Sequence, residues 1–223
     1  ALGNIGNAYS GFKQYSKALD NFQKSLIIWR EIKDVKGEAD SLSNIASVYI
    51  NQGYFTQAIE VLQQSLSIRR QVKDSFNEPE TIALLGLSHY ALGNIDQSFE
   101  MLNQALQFSR KVNNPKAEST ALMSAATVHI FLRQADKQLE HMQPALVLAR
   151  QSGNVLEQMK LLAYIADAYN QLKNPKKALE YSQQSLEIAQ KALAVYQKQK
   201  NPAEHAQILL NIASIYNKQQ QYD

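Results

Sequence analysis

Ile45-Ala46-Ser47-Val48-Tyr49 has a counterpart every forty residues: Ile5-Gly6-Asn7-Ala8-Tyr9 before it, then Leu85-Gly86-Leu87-Ser88-His89, Ala125-Ala126-Thr127-Val128-His129 and Ile165-Ala166-Asp167-Ala168-Tyr169. A fixed period of this size marks a chain built by stacking one supersecondary unit on the next. Outward from the word, the rest of the unit keeps the same register. Leu26, Leu66, Leu106, Leu146 and Leu186 recur unchanged, each preceded by a small residue (Ser25, Ser65, Ala105, Ala145, Ser185). Two residues further on stand Ile28, Ile68, Phe108, Leu148 and Ile188. All three positions are expected to be buried contact points.

The spacing within one unit predicts two helices. Leu42, Ile45, Val48 and Tyr49 follow the three-and-four rhythm of one helix face, Gln52-Gly53-Tyr54 interrupts it, and Phe55, Ala58, Ile59, Leu62, Leu66 and Ile68 resume it. Asp34, Asp74, Asn114 and Asn154 are expected to end the second helices. Gly6, Ala46, Gly86, Ala126, Ala166 and Ala213 place almost no side chain where two helices must approach closely. Tyr9, Tyr49, Tyr169 and Tyr216 fill the space three residues later, as close packing requires. On the second helix Ala18, Ala58 and Ala178 take the small part, facing Phe22 and Leu62.

Composition narrows the function classes. The 223 residues are 45% hydrophobic and carry no Cys, so thiol catalysis, thiolate metal sites and disulfides are absent, in keeping with a cytoplasmic protein. No stretch approaches the ~18 consecutive apolar residues of a membrane span. The net charge is +3, with signs alternating along helices as in Lys13, Lys17, Asp20 and Lys24. That is a solvated face, and no basic stripe of a nucleic-acid reader is expected.

Leu/Ile-Gly/Ala-x-x-Tyr, then Gly, then Ala-x-x-x-Phe/Leu-x-x-Ser/Ala-Leu resembles the tetratricopeptide repeat, and the resemblance covers essentially the whole chain. The usual unit has about 34 residues. Forty resembles the elongated variety found in kinesin light chain, in Leu-Gly-Asn-type adaptors and in bacterial arrays joined to caspase-like CHAT domains. The fold class expected is all-α, an α-solenoid, with antiparallel hairpins forming a right-handed superhelix of about eleven helices. It is read as one domain, 1–223, with repeats near 1–34, 35–74, 75–114, 115–154, 155–201 and a partial sixth at 202–223. Neither end shows a polar capping repeat, so a fragment of a longer array is expected.

Three departures break the repeat. In the fourth unit Gln138 replaces the small alanine, Arg133 replaces the turn glycine, and Pro144 falls inside the second helix, where a kink is expected. Between the fifth and sixth words seven residues are inserted, about two helical turns, so a lengthened hairpin is expected around Asn201-Pro202. His89 and His129 take the tyrosine position; with no carboxylate or Cys at helical spacing they are packing histidines, not metal ligands, and His141 and His205 are surface residues.

No catalytic constellation is present: no phosphate loop, no Gly-x-Ser-x-Gly and no His-Glu-x-x-His. Thr56, Asp96 and Asp136 read as packing or capping residues near the starts of second helices. An enzyme is not expected, nor is a cofactor. What the resemblance implies is a concave groove lined by the first helix of each unit, holding a protein or peptide partner. Carried over residue by residue, Asn4, Asn44 and Asn211 match the family's Asn before Leu-Gly, and Asn7 its second Asn. Ser47, Asn51, Leu84, Leu87, Thr127, Phe131, Tyr164, Asp167, Asn170 and Gln171 are the other groove candidates. Asparagine both donates and accepts, which suits a peptide backbone, and the lining is expected to be apolar at its centre. Ser43, Ala83, Met123 and Ala163 stand where the first lysine of the family's carboxylate clamp would be, so that clamp is not expected. The alternatives are a regulatory array gating an effector domain elsewhere in the polypeptide, and self-association through uncapped ends.

Overall fold

The computed structural model describes residues 2–198 together with Leu209, with side chains described at 2–193 and 209. Among the described residues there are ten helices: α1 (Leu2–Gly11), α2 (Tyr15–Glu31), α3 (Val35–Gln52), α4 (Phe55–Gln71), α5 (Glu78–Ala91), α6 (Ile95–Lys111), α7 (Pro115–Phe131), α8 (Ala135–Gln151), α9 (Val155–Gln171) and α10 (Pro175–Lys198). The architecture is all-α, a run of helical hairpins. The sixth word, with Ala213 and Tyr216, and Pro202 and His205 lie outside the described residues. The chain divides into two compact units, Ala1–Ser124 and Ala125–Asp223, with the boundary inside α7. In the first unit each of α1 to α5 packs on its successor, and α3 also meets α1 and α5; in the second, α8, α9 and α10 pack in sequence.

The helix ends follow a stricter rule than the side chains do. A left-handed residue recurs every twenty positions: Lys13, Lys33, Gly53, Lys73, Gly93, Asn113, Arg133, Gly153 and Lys173. After each, the next N–H closes on the carbonyl five residues back, from Gln14 on Tyr9 at 2.9 Å to Asn174 on Tyr169 at 2.9 Å. These are Schellman ends, which satisfy carbonyls that a helix leaves over. Arg133, in the unit that drifts furthest from the pattern, takes φ 55° like its counterparts.

Asp34, Asn114 and Asn154 end the preceding helices as expected, through their backbone N–H groups, but their side chains serve the helices that follow. They start the helices after them: Asp34 Oδ1 accepts from the N–H of Lys36 and Gly37 at 3.1 and 3.0 Å, Asn114 Oδ1 from Ala117 at 3.0 Å, and Asn154 Oδ1 from Glu157 at 3.2 Å. Thr56, Asp96 and Asp136 are not caps. Tyr54, Asn94 and Gln134 hold the cap positions of α4, α6 and α8 without a side-chain capping bond, and Thr56, Asp96 and Asp136 lie inside the first turn.

Burial also corrects the expected core. The small residue before each recurring leucine is deeply buried, with Ser65, Ala105, Ala145 and Ser185 all inaccessible, and Leu66 and Leu146 are buried as expected, whereas Leu26, Leu106 and Leu186 are half-buried and Ile28 is exposed. The hydroxyls of Ser65 and Ser185 donate to the carbonyls of Ala39 and Met159, at 2.9 and 3.1 Å, so a small polar residue crosses each of these helix pairs without an unmet donor. Phe22, Leu62, Leu102 and Met142, four residues earlier than the leucines, fill the interior. Gly6 lies flat on the Phe22 ring, where a Cβ would fall 2.6 Å from a ring carbon, and Gly37 lies as closely on Trp29.

A second forty-residue ladder runs along the surface. Arg30 Nε meets Glu38 at 2.8 Å, Arg70 meets Glu78 at 2.8 Å, and Arg110 meets Glu118 at 2.7 Å. The fourth rung is broken because Gln158 stands where glutamate would: its amide donates to the Ala149 carbonyl at 3.0 Å and Arg150 turns to Gln184 at 3.1 Å. α10 has 24 residues where α4, α6 and α8 have 17, so the described part of the inserted stretch continues a helix. Pro144 lies inside α8, which runs through it at the common length.

Candidate functional site

Arg69 organises the first unit's polar face. Its counterparts are Trp29, Ser109, Ala149 and Ala189, so α4 alone presents an arginine at this depth, and it is 4% exposed. Its Nη1 donates to Asp74 at 2.6 Å, its Nη2 to Asp40 at 2.7 Å, and its Nε to the Thr81 hydroxyl at 3.1 Å. A buried guanidinium is tolerable only when paired and hydrogen-bonded in this way. Asp74 is therefore withdrawn from capping: with Asn77 also donating to its carboxylate at 3.1 Å, residues 75–77 form a turn and α5 starts only at Glu78.

Above Arg69 lies a cleft of about 260 Å³ lined by α1, α3, the α5 region and α7. Asp40, Ser43, Asn44 and Ser47 form one stripe of α3; Asn77, Glu80, Thr81 and Leu84 continue it on the neighbouring segment; Asn7 and Lys116 close the rim. Four groove candidates, Asn7, Asn44, Ser47 and Leu84, meet here. Leu84 is the cleft's one apolar lining side chain, and Leu87 is half-buried and not part of it. Cations do face the cleft, from positions outside the clamp pattern, but both are matched. Arg69 is held by Asp40 and Asp74, and Lys116 by Glu80 at 3.0 Å.

Asn4 lines a second cleft of about 370 Å³ with Asn44, Asp40, Leu2, Ile28 and Trp29. Asn44 and Asp40 thus face both. Asn51 is exposed at the end of α3 and lines neither cleft. In the second unit Phe131 and Tyr164 are exposed, Thr127 and Asp167 are half-buried, and Asn170 and Gln171 are exposed at the end of α9. Asn211 lies outside the described residues.

The histidines have local partners. Asn94 donates to Nδ1 of His89 at 3.3 Å, and burial holds the His89 pKa below its usual value. His141 is not a lone surface residue: its ring stacks on that of His129 at 5.3 Å, and His129 Nδ1 lies 2.9 Å from Gln134 Oε1. Tyr169 and Tyr181 repeat that stack forty residues on, at 5.4 Å. The pairing explains the substitution of histidine for tyrosine as packing. Among the described residues no three His, Cys, Asp or Glu are grouped to hold a metal ion, and no helix is long and apolar enough to cross a membrane.

Sequence reading missed Arg69, Asp40, Glu80 and Lys116. A signal was available, since arginine at a position otherwise held by Trp, Ser or Ala breaks the repeat as plainly as Gln138 does.

The architecture recurs in solved proteins. BtubC (BKLC) from P. vanneervenii superposes with a TM-score of 0.70 at 16% identity, over 93% of this chain and 85% of that one. A putative kinesin light chain with nearly identical TPR-like repeats from Podosopora anserina gives 0.56 at 16% identity, over 86% and 94%. A Rap protein complexed with competence and sporulation factor gives 0.63 at 13%, over 100% and 64%. At such identities the likeness is one of fold. The search of curated proteins found no match. Models of the tetratricopeptide repeat match residues 1–71, 80–116 and 160–192. With the forty-residue words, the paired helices and these matches over most of its length, the chain belongs to the tetratricopeptide repeat family.

Proposed function

We propose that the chain is a protein-interaction scaffold whose first unit grips a polypeptide in the Arg69 cleft. The observation that carries this reading is the convergence of Asn7, Asn44, Ser47 and Leu84 on one 260 Å³ cleft. Asparagine amides there donate and accept at once, which matches the alternating C=O and N–H groups of an extended backbone. A Rap protein of the same fold was solved with a factor bound, which supports a ligand-binding role for hairpins stacked in this way. The candidates of the second unit, Thr127, Phe131, Tyr164, Asp167, Asn170 and Gln171, form its own partner-facing set in this reading. The hairpins are taken as repeats with borders near 34, 74, 114, 154 and 201 in one solenoid domain, non-catalytic and cytoplasmic.

The test is selection from a random-sequence peptide display library on the 223-residue chain. Retained peptides are expected to lose affinity when Asn7 and Asn44 are both changed to Ala, and to keep it with Asn51→Ala. Retention of no peptide, or equal binding by all variants, would overturn the reading.

A further inference from the structure

Resting on that reading of the cleft, we infer that its ligand is cationic: a peptide segment presenting a Lys or Arg side chain to Asp40 and Glu80. Arg69 is a buried side chain whose polar end reaches the cleft, and it is committed to Asp74, Asp40 and Thr81. It orients the Asp40 carboxylate through Oδ1 at 2.7 Å, while that side chain stays 58% exposed to whatever enters. Charge-assisted bonds of this kind fix geometry as well as sign.

The balance of fixed charge then selects the ligand. One held cation, Arg69, stands against the lining carboxylates of Asp40 and Glu80, and its own charge is already met by Asp74 buried behind the cleft. The other cation, Lys116, is 77% exposed on a flexible stem and touches Glu80 by a single contact of 3.0 Å. Exposed pairs of that kind are worth little and are exchanged at small cost. An arriving ammonium or guanidinium therefore replaces Lys116 at Glu80 and joins Asp40. A carboxylate, by contrast, finds only Lys116 within easy reach, and taking it leaves Glu80 unpaired beside the ligand's own charge, while drawing on Arg69 would break a buried ion-pair network. The surrounding Asn, Ser and Thr groups then serve the ligand backbone. The preference runs opposite to the chain's net charge of +3, so it belongs to the cleft and not to a general field.

The same display selection decides the matter when its output is read by composition and followed by fluorescence anisotropy on single peptides. Peptides retained by the native chain are expected to be enriched in Lys and Arg. Each is expected to weaken about tenfold with Asp40→Asn or Glu80→Gln, the loss of one charge-assisted contact. Lys116→Ala is expected to leave binding equal or tighter. Enrichment in Asp or Glu, or in neutral residues with binding unmoved by Asp40→Asn, would overturn the cationic preference. If those peptides still depend on Asn7 and Asn44, the groove reading survives that failure. Retention of no peptide would overturn both. Glu80→Gln serves as an independent variant should Asp40→Asn disturb folding through Arg69.

Discussion

Two neighbouring arginines show how little a residue's identity says without its depth. Arg69 is 4% exposed and bound on three sides, whereas Arg70, half-exposed, meets Glu78 at the surface. Arg69→Ala leaves the Asp74 carboxylate buried and unpaired, a change expected to cost about 3 to 5 kcal/mol in urea unfolding. Arg70→Ala is expected to cost about 0.2 to 1 kcal/mol. Similar losses would refute the buried network. His89 supplies a pH test. Its pKa is lowered by burial, so the folded chain protonates the ring only at lower pH than the unfolded chain, which does so below about 6.5. Stability from this residue is thus complete above that pH and declines as pH falls below it. Restoring the repeat's tyrosine with His89→Tyr is expected to flatten this part of a thermal-denaturation pH profile.

At the scale of the element, the twenty-residue series of helix ends stands out, because six of its nine left-handed residues are not glycine. Such a residue carries a steric cost that glycine lacks, partly offset by glycine's greater freedom when unfolded. Lys13→Gly and Arg133→Gly are each expected to raise stability by up to about 1 kcal/mol, measured by chemical denaturation; a loss would mean that the side chains do more than decorate the turn. The broken surface ladder offers a second gain. Gln158→Glu places a carboxylate in the position that Glu38, Glu78 and Glu118 hold opposite their arginines. The completed rung is expected to add about 0.2 to 1 kcal/mol, and the gain is expected to fade in high salt.

For the whole molecule, near-neighbour packing makes stability a local quantity that differs from helix to helix. In the second unit α8 carries the two conflicts, Pro144 in its interior and a buried Gln138 that bonds the Tyr164 carbonyl at 3.0 Å through its amide but leaves its oxygen without a partner. Amide exchange is expected to be faster across α8 than across α9, and a reversed order would contradict this assignment. Most of the fold was legible in the sequence. A forty-residue repeat of small and large residues determines helix identity, hairpin pairing and the close approaches at Gly6 and Gly86, since these depend on spacing along one chain segment and its immediate successor. The second role of Asp34 and Asn154 was not legible because both stand between two helices, and only backbone geometry says which one their oxygens serve. The cleft was half legible. Asn7, Asn44, Ser47 and Leu84 follow from register, but Arg69 with Asp40, Asp74 and Thr81 joins α4 to side chains 5 to 29 positions away. The sequence by itself determined the helices, their pairing and the small-residue contacts between them. Tertiary structure decided where the charge lies, because an ion pair depends on depth and direction in space and leaves no period in the chain.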